Sequence, residues 1–454
     1  MKNKISFLLL FPLLTSCSTV CQEASEVLTS HLQSASRNSN YPSAPTNQPE
    51  LASSPPAVDL SYYKPVNSRP FQRSDIAIAV AASGGGYRAA NLTAGVLMGL
   101  EQVTNPHLQG NLLQAVDYFS TVSGGGFGVG YYIASLEDFR ESHEVNGPFA
   151  PQFSFTNTMN SLPNSNPLDT DYSGQLFFGA DRGQMIEENF ANSILKTQHG
   201  TLTLGDIFVP QNSTQQPHLP YWVTNSTIYQ NAALLPFTPD VLAKYGINTY
   251  RYDNKTNIIQ DYNSIPVAVG MTASASFPFA LTPTTLGSHN CVGSSECYLH
   301  LLDGGIADNL GVYTALSLLR QDSAKTKILI IIDAYAGHDQ PFSQDEYPPS
   351  GTTLFWRVMG MGTDAFHQLI KPNIKNLARA ELCHDNTQNV VVIYLDLGSY
   401  DRARAINTGL FLTPEQQKLL LGVGQSLVHD NPQFNQLLKP LLDGNIHIGQ
   451  CSMH

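Results

Sequence analysis

Short apolar runs recur along this chain, and most are followed by a stretch whose apolar residues repeat at helical spacing. Residues 76–81, 116–122, 221–228, 327–334 and 389–397 have the length and apolar content of buried strands. Helical spacing is read over 91–103, 126–136, 183–195, 312–320 and 413–429. The last of these has the clearest start: Thr413 at the N-cap, Pro414 at the first helical position and Gln416 to complete a capping box. Leu419, Leu420 and Leu427 then suit one buried face. Strand and helix in alternation predict an α/β sandwich around a mostly parallel central sheet.

Two regions depart from this rhythm. From about Ser34 to Pro70 the chain is rich in Ser, Asn and Pro, as in Tyr41-Pro42-Ser43-Ala44-Pro45, which reads as a flexible tether. Residues 137–220 are loop-rich and aromatic (Phe149, Phe153, Phe155, Phe177, Phe178), which reads either as a cap inserted over a site or as ordinary core. The domain layout is thus 1–17, a tether over 18–70 and a folded body over 71–454.

At the N-terminus Lys2 and Lys4 precede an apolar run over 5–14, the layout of an export signal and too short to span a bilayer. Thr15-Ser16-Cys17 follows, which resembles a bacterial lipoprotein signal with Cys17 as the lipidated residue; ordinary signal cleavage nearby is the alternative. The expected location is therefore exported, either lipid-anchored to a bacterial membrane, the outer favoured over the inner, or secreted. An exported chain permits disulfides. Cys291 and Cys297 bracket a short polar loop that a local bridge would close, which leaves Cys383 and Cys451 to pair and Cys21 over. No C-x-x-C pair supports a zinc site.

Composition narrows the function. The chain has 454 residues, 42% hydrophobic and 13% charged, with a net charge of −12. That balance suits a large globular body and opposes nucleic-acid binding, which needs Lys and Arg to displace counterions. It equally opposes electrostatic attraction to anionic lipid, so membrane contact is expected through apolar groups or a covalent anchor, for which the N-terminal lipid is the candidate.

Three stretches carry chemistry. In Ser83-Gly84-Gly85-Gly86-Tyr87-Arg88-Ala89, consecutive glycines leave N–H groups uncovered beside a permanent cation, which suits a phosphate or a developing oxyanion. In Phe119-Ser120-Thr121-Val122-Ser123-Gly124-Gly125-Gly126, an apolar run ends at a serine among small residues, as in a nucleophile elbow, although Thr121 stands where the elbow usually has glycine. In Leu301-Leu302-Asp303-Gly304-Gly305-Ile306-Ala307-Asp308-Asn309-Leu310, an aspartate closes an apolar segment. Taken singly, each also reads as a common Gly-rich or Asp-Gly turn.

Together and in this order, the three resemble the superfamily of patatin-like and cytosolic phospholipase–lysophospholipase acyl hydrolases. Ala273-Ser274-Ala275-Ser276-Phe277-Pro278-Phe279 is similar to the Ser-Pro block of those families. The resemblance spans about Asp75 to Arg320, with no family motif in the tail beyond. It implies a patatin-like three-layer sandwich and a Ser–Asp dyad, with Ser123 as nucleophile and Asp303 as base, without histidine, metal or other cofactor. It further implies an oxyanion hole from the N–H groups of Gly84, Gly85, Gly86 and Gly124. Arg88 would bind a lipid phosphate or steady the glycine loop. The implied substrate is a phospholipid or lysophospholipid, cleaved at a carboxylic ester through an acyl-enzyme; calcium dependence is not expected.

Three rival readings remain open. An α/β-hydrolase triad could recruit His384 or His429, which preserve the order Ser, Asp, His. Gly84-x-Gly86-x-x-Ala89 fits a dinucleotide fingerprint, but no acidic residue closes a second strand about 20 positions on, so no nucleotide is expected. A non-catalytic lipid-binding lipoprotein is the third, opposed by the presence of Ser123, Asp303 and Arg88 together.

Overall fold

Ile76, Ile78, Val80 and Ala82 enter one buried cluster, while the intervening Ala77, Ala79 and Ala81 enter another. A period of two that is apolar on both faces is the signature of a strand buried on both sides, and it makes this segment the middle of a three-layer body. The computed structural model describes residues 75–104, 110–143, 145, 152–162, 168, 182–209, 219–253, 255–278, 280–290, 297–337, 351–383, 389–409 and 411–442. All of these belong to a unit spanning Ala57–His454. Cys17, Cys21, the tether, Cys291, His384 and Cys451 lie outside the described residues.

The sheet is built from β1 (Ile76–Ala82), β2 (Tyr118–Val122), β3 (Tyr221–Ile228), β4 (Leu234–Phe237), β5 (Ile247–Tyr252), β6 (Lys255–Ile258), β7 (Thr284–Ser288), β8 (Cys297–Asp303), β9 (Thr326–Asp333) and β10 (Asn389–Asp396). Its order is β10-β9-β1-β2-β3-β8-β7-β5-β6, with β4 also paired to β3. From β10 to β3 every pairing is parallel, and these are the five strands that the apolar runs predict. The pairings of β3 with β8 and β4, and those beyond to β6, are antiparallel. Of this second half only the apolar end of β8 at Leu301-Leu302-Asp303 was anticipated: β4 is only four residues long, and β5, β6 and β7 are polar-rich, as in Asn248-Thr249-Tyr250-Arg251.

One face is covered by α1 (Gly86–Gln102), α2 (Gly125–Ser142), α3 (Val267–Ala275) and a C-terminal helix (Pro414–His429). The other carries a helix at Val312–Gln321 and another at Ile374–Leu382. A one-turn helix, α4 (Gly305–Asp308), precedes the first of these in the chain, and a long one (Gly351–Ile370) stands between the two. In chain order the longer helices that follow α4 are α5 (Val312–Gln321), α6 (Gly351–Ile370), α7 (Ile374–Leu382) and α8 (Pro414–His429). The capping box of α8 forms as expected: Thr413 Oγ1 accepts from Gln416 N, and Gln416 Oε1 from Thr413 N. In the 137–220 region, Phe153 and Phe155 are buried in the main core, while Phe149, Phe177 and Phe178 lie outside the described residues. Cys297 is disulfide-bonded, whereas Cys383 at the end of α7 carries a thiol, a correction to its expected pairing with Cys451.

α1 and α8 cross closely because glycines line the contact. A Cβ on Gly95 would lie 2.3 Å from Leu421 O, and one on Gly424 would lie 2.5 Å from Leu92 O. Backbone cannot yield as a side chain does, so Gly424→Val is expected to lower stability by about 1–3 kcal/mol. Urea unfolding with an unchanged midpoint would count against this crossing. The tail, which carries no recognised motif, thus supports the helix that grows out of the glycine loop.

Candidate active site

Pairing along β3 brings Ser123 and Asp303 together. β4 pairs with β3 over Thr224–Thr227, which occupies one edge of that strand. β2 pairs over Tyr221–Asn225 and β8 over Ser226–Ile228, so both lie on the opposite edge, one after the other. β2 runs parallel to β3 and ends at Val122 opposite Asn225; β8 runs antiparallel and ends at Asp303 opposite Ser226. Two C-terminal strand ends therefore meet head on, with Ser123 one residue beyond the first. This sets the Ser123 hydroxyl beside the Asp303 carboxylate, close enough to favour its charged form.

Ser123 sits at φ 49, a left-handed conformation that a serine adopts only when its surroundings enforce it. Its N–H donates to Ser274 Oγ at 2.9 Å, and that hydroxyl donates to Asn225 O at 2.6 Å. Its carbonyl accepts from Gly126 N at 2.9 Å. The threonine two positions before it fits because its hydroxyl accepts from the indole of buried Trp222 at 2.8 Å. A strained serine leaving a strand for a helix matches the expected elbow.

Asp303 is buried, with its Oδ1 accepting from Gly305 N at 2.7 Å. Desolvation pushes its carboxyl up from 3.8 to about 6, and the Gly305 N–H bond and the nearby Ser123 hydroxyl offset only part of that rise. Its backbone is fixed by Ser276 O, which accepts from Asp303 N, and by Thr227 Oγ1, which donates to Asp303 O. Asp308 is likewise pushed up to about 6 by burial, but its carboxylate is enclosed by the N–H groups of Leu310, Gly311 and Tyr313. That places it in the turn into α5 rather than at Ser123.

The glycine loop lies against the elbow. A Cβ on Gly84 would be 3.4 Å from that of Ser123, and one on Gly124 would be 1.9 Å from Gly86 O. Gly85 and Gly86 have φ 144 and 58, values glycine tolerates. Helix α1 starts at Gly86 itself, earlier than the expected Asn91, so N–H groups at the starts of both α1 and α2 converge beside Ser123. Among the expected oxyanion donors Gly84 is a correction: its N–H already donates to Asn309 O at 3.0 Å. The N–H groups of Gly85 and Gly86, at the turn into α1, and of Gly124, the N-cap of α2, remain as candidates.

Arg88 is a second correction. It is 5% exposed, with Nε donating to Ala334 O at 3.0 Å and an Nη to Ile406 O at 2.8 Å. Such a guanidinium cannot also hold a lipid phosphate; it braces the loop, which is the other role the resemblance implied. Of the triad candidates, His429 is exposed at the far end of α8 and bonded to Gln102 Oε1 at 2.8 Å. Asn225, Ser274 and Asn309 shape the site although their roles were not foreseen, and so do two carbonyls of the tail: Ile406 O, and Gly409 O, which accepts from Tyr87 N. Ser274 and Asn309 stand within motifs already singled out, whereas Asn225, Ile406 and Gly409 carry no signal of their own.

Among the described residues no group of three or more His, Cys, Asp or Glu is arranged to hold a metal ion, and no helix is long and apolar enough to cross a membrane. The family model for Patatin-like phospholipase matches residues 80–316. Among solved structures, human GIVD cytosolic phospholipase A2 is similar at 8% identity and TM-score 0.37, covering 82% of this chain and 63% of that one. VipD from Legionella pneumophila is similar at 14% identity and TM-score 0.31, covering 82% and 67%. This chain thus spans somewhat under two thirds of the length of the human enzyme. No curated protein matches it in sequence.

Proposed function

Because the chain belongs to the patatin-like phospholipase family, we propose that it is a serine lipid acyl hydrolase whose dyad is Ser123 and Asp303, acting on phospholipid or lysophospholipid. The observation that carries the reading is the juxtaposition of a strained Ser123 and a buried Asp303 at the meeting of β2 and β8. A serine hydroxyl is a weak nucleophile until a base takes its proton. Asp303 accepts that proton as Ser123 Oγ adds to the ester carbonyl. The N–H groups of Gly85, Gly86 and Gly124 then stabilise the oxyanion, and the departing alcohol takes the proton from Asp303. Water repeats the sequence on the acyl-enzyme and releases the fatty acid. Attachment through Cys17 to an exported, membrane-facing location completes the proposal.

The test is product analysis by mass spectrometry with phosphatidylcholine and lysophosphatidylcholine vesicles. Free fatty acid and the corresponding lysolipid or glycerophosphodiester are expected. Release is expected to stay within about 2-fold in His429→Ala, since that ring bonds only to a surface glutamine among its described contacts. Loss of release in a folded His429→Ala would favour a triad instead.

A further inference from the structure

We propose that Asp333 is a positioning residue for the glycine loop, acting through Ala334 and Arg88 as the buried counter-charge that holds the loop where an oxyanion forms. The proposal rests on the acyl-hydrolase reading above and concerns residues that the dyad does not use.

Asp333 closes β9, the strand beside β1, and is fully buried. The residues on either side of it are both fastened to the start of the loop. Ile332 O accepts from Ser83 N at 3.0 Å, and Ala334 N donates to Ser83 Oγ at 2.8 Å. Ala334 O then accepts from Arg88 Nε at 3.0 Å. An Nη of that guanidinium lies 3.4 Å from the position a Cβ on Gly85 would take, so Arg88 sits directly beneath the loop.

A buried guanidinium needs a compensating charge. Burial lowers Arg88 to about 10, and the negative charge of Asp333 acts in the opposite sense. Asp333 is itself held by three donors. Its Oδ2 accepts from His367 Nε2 at 2.5 Å and from Tyr394 OH at 2.7 Å, and its Oδ1 from Tyr335 N at 2.9 Å. The Tyr335 ring stacks on His367 with centroids 4.1 Å apart, and its hydroxyl donates to Asp364, which also pairs with Arg357. The His367 tautomer follows from this arrangement, since a carboxylate oxygen requires a donor at Nε2. Loop, strand end and counter-charge therefore form one continuous set of bonds, and displacing the charge should displace the N–H groups of Gly85 and Gly86.

The experiment is steady-state hydrolysis of a soluble p-nitrophenyl ester by wild type, Asp333→Asn, Arg88→Met and the double variant, with Ser123→Ala alongside. Asp333→Asn is expected to lower kcat on the order of 10²-fold, as loss of one oxyanion donor does, with KM changed less than about 3-fold. The double variant is expected to lose no more than Arg88→Met alone, because the two residues act as one unit. A kcat within about 3-fold of wild type, a loss appearing in KM, or additive losses would overturn the proposal. Should Asp333→Asn fail to fold by circular dichroism, Tyr394→Phe removes one donor and is expected to lower kcat several-fold at unchanged KM; an unaltered kcat there overturns the proposal too. Hydrolysis that persists in Ser123→Ala would defeat the acyl-hydrolase reading itself, whereas its loss alongside a normal Asp333→Asn would defeat the positioning role alone.

Discussion

Ser123→Ala is expected to reduce fatty-acid release by at least about 10⁴-fold, because among the described residues no other serine ends a strand beside both the glycine loop and Asp303. The loss should appear in kcat, since the substitution removes the atom that forms the acyl bond and leaves the apolar surroundings unchanged. The same variant should fail to acquire the mass of an alkyl fluorophosphonate, which the wild type should take up once per chain on the peptide containing Ser123. Folding should survive. The bonds that enforce φ 49 run through the backbone N–H and carbonyl of residue 123, to Ser274 and Gly126, and alanine keeps both. Only the interaction of the hydroxyl with Asp303 is lost, a change of about 1 kcal/mol. Lipid product analysis and thermal unfolding on the same preparation separate the two effects. Persistent release would remove Ser123 from the mechanism, whatever its conformation.

Much of this site is legible in the sequence because its parts are local. A serine with small neighbours, a run of glycines and an Asp-Gly-Gly each state their backbone requirement within a few residues. The parallel strands are legible for a similar reason, since burial on both faces writes a continuous apolar run such as Ile328-Leu329-Ile330-Ile331-Ile332 in β9. What could not be read is non-local. Nothing near Gly84 indicates that its N–H is taken by Asn309 O, more than two hundred positions later in the chain. The fate of Arg88 depends on carbonyls at 334 and 406, so a cation that looks available for phosphate becomes an internal brace. The head-on meeting of β2 and β8 needs β4 on the far edge of β3, and β4 is a short segment with a proline in it. Local chemistry singled out Ser123 and Asp303; long-range pairing brings them together.

Asp303→Asn is expected to abolish activity and raise stability together, and pH separates the two. As base, the carboxylate must be ionised, so kcat/KM of the wild type should climb as pH rises through about 6, where burial holds this group. Asparagine shares the shape but cannot accept the proton; activity should fall by about 10³-fold or more, with no acid limb of this origin. The stability effect has the opposite sense. The folded carboxyl holds its proton more tightly than the unfolded one, whose ordinary value is 3.8. Its contribution to stability is therefore complete below about 3.8 and is lost as pH rises through about 6. The difference between 3.8 and about 6 corresponds to roughly 3 kcal/mol for this fully buried group. An asparagine carries no such penalty at pH 8, while its Oδ1 can still accept from Gly305 N–H. The stability of Asp303→Asn minus that of wild type should thus increase by about 2.5 kcal/mol between pH 4 and pH 8. Asp308, also pushed up to about 6, is present in both proteins and cancels from that difference. Urea unfolding of both proteins at several pH values gives the quantity directly, and a difference that stays flat with pH would mean that Asp303 is not held protonated by burial and that its fitness as a base has another origin.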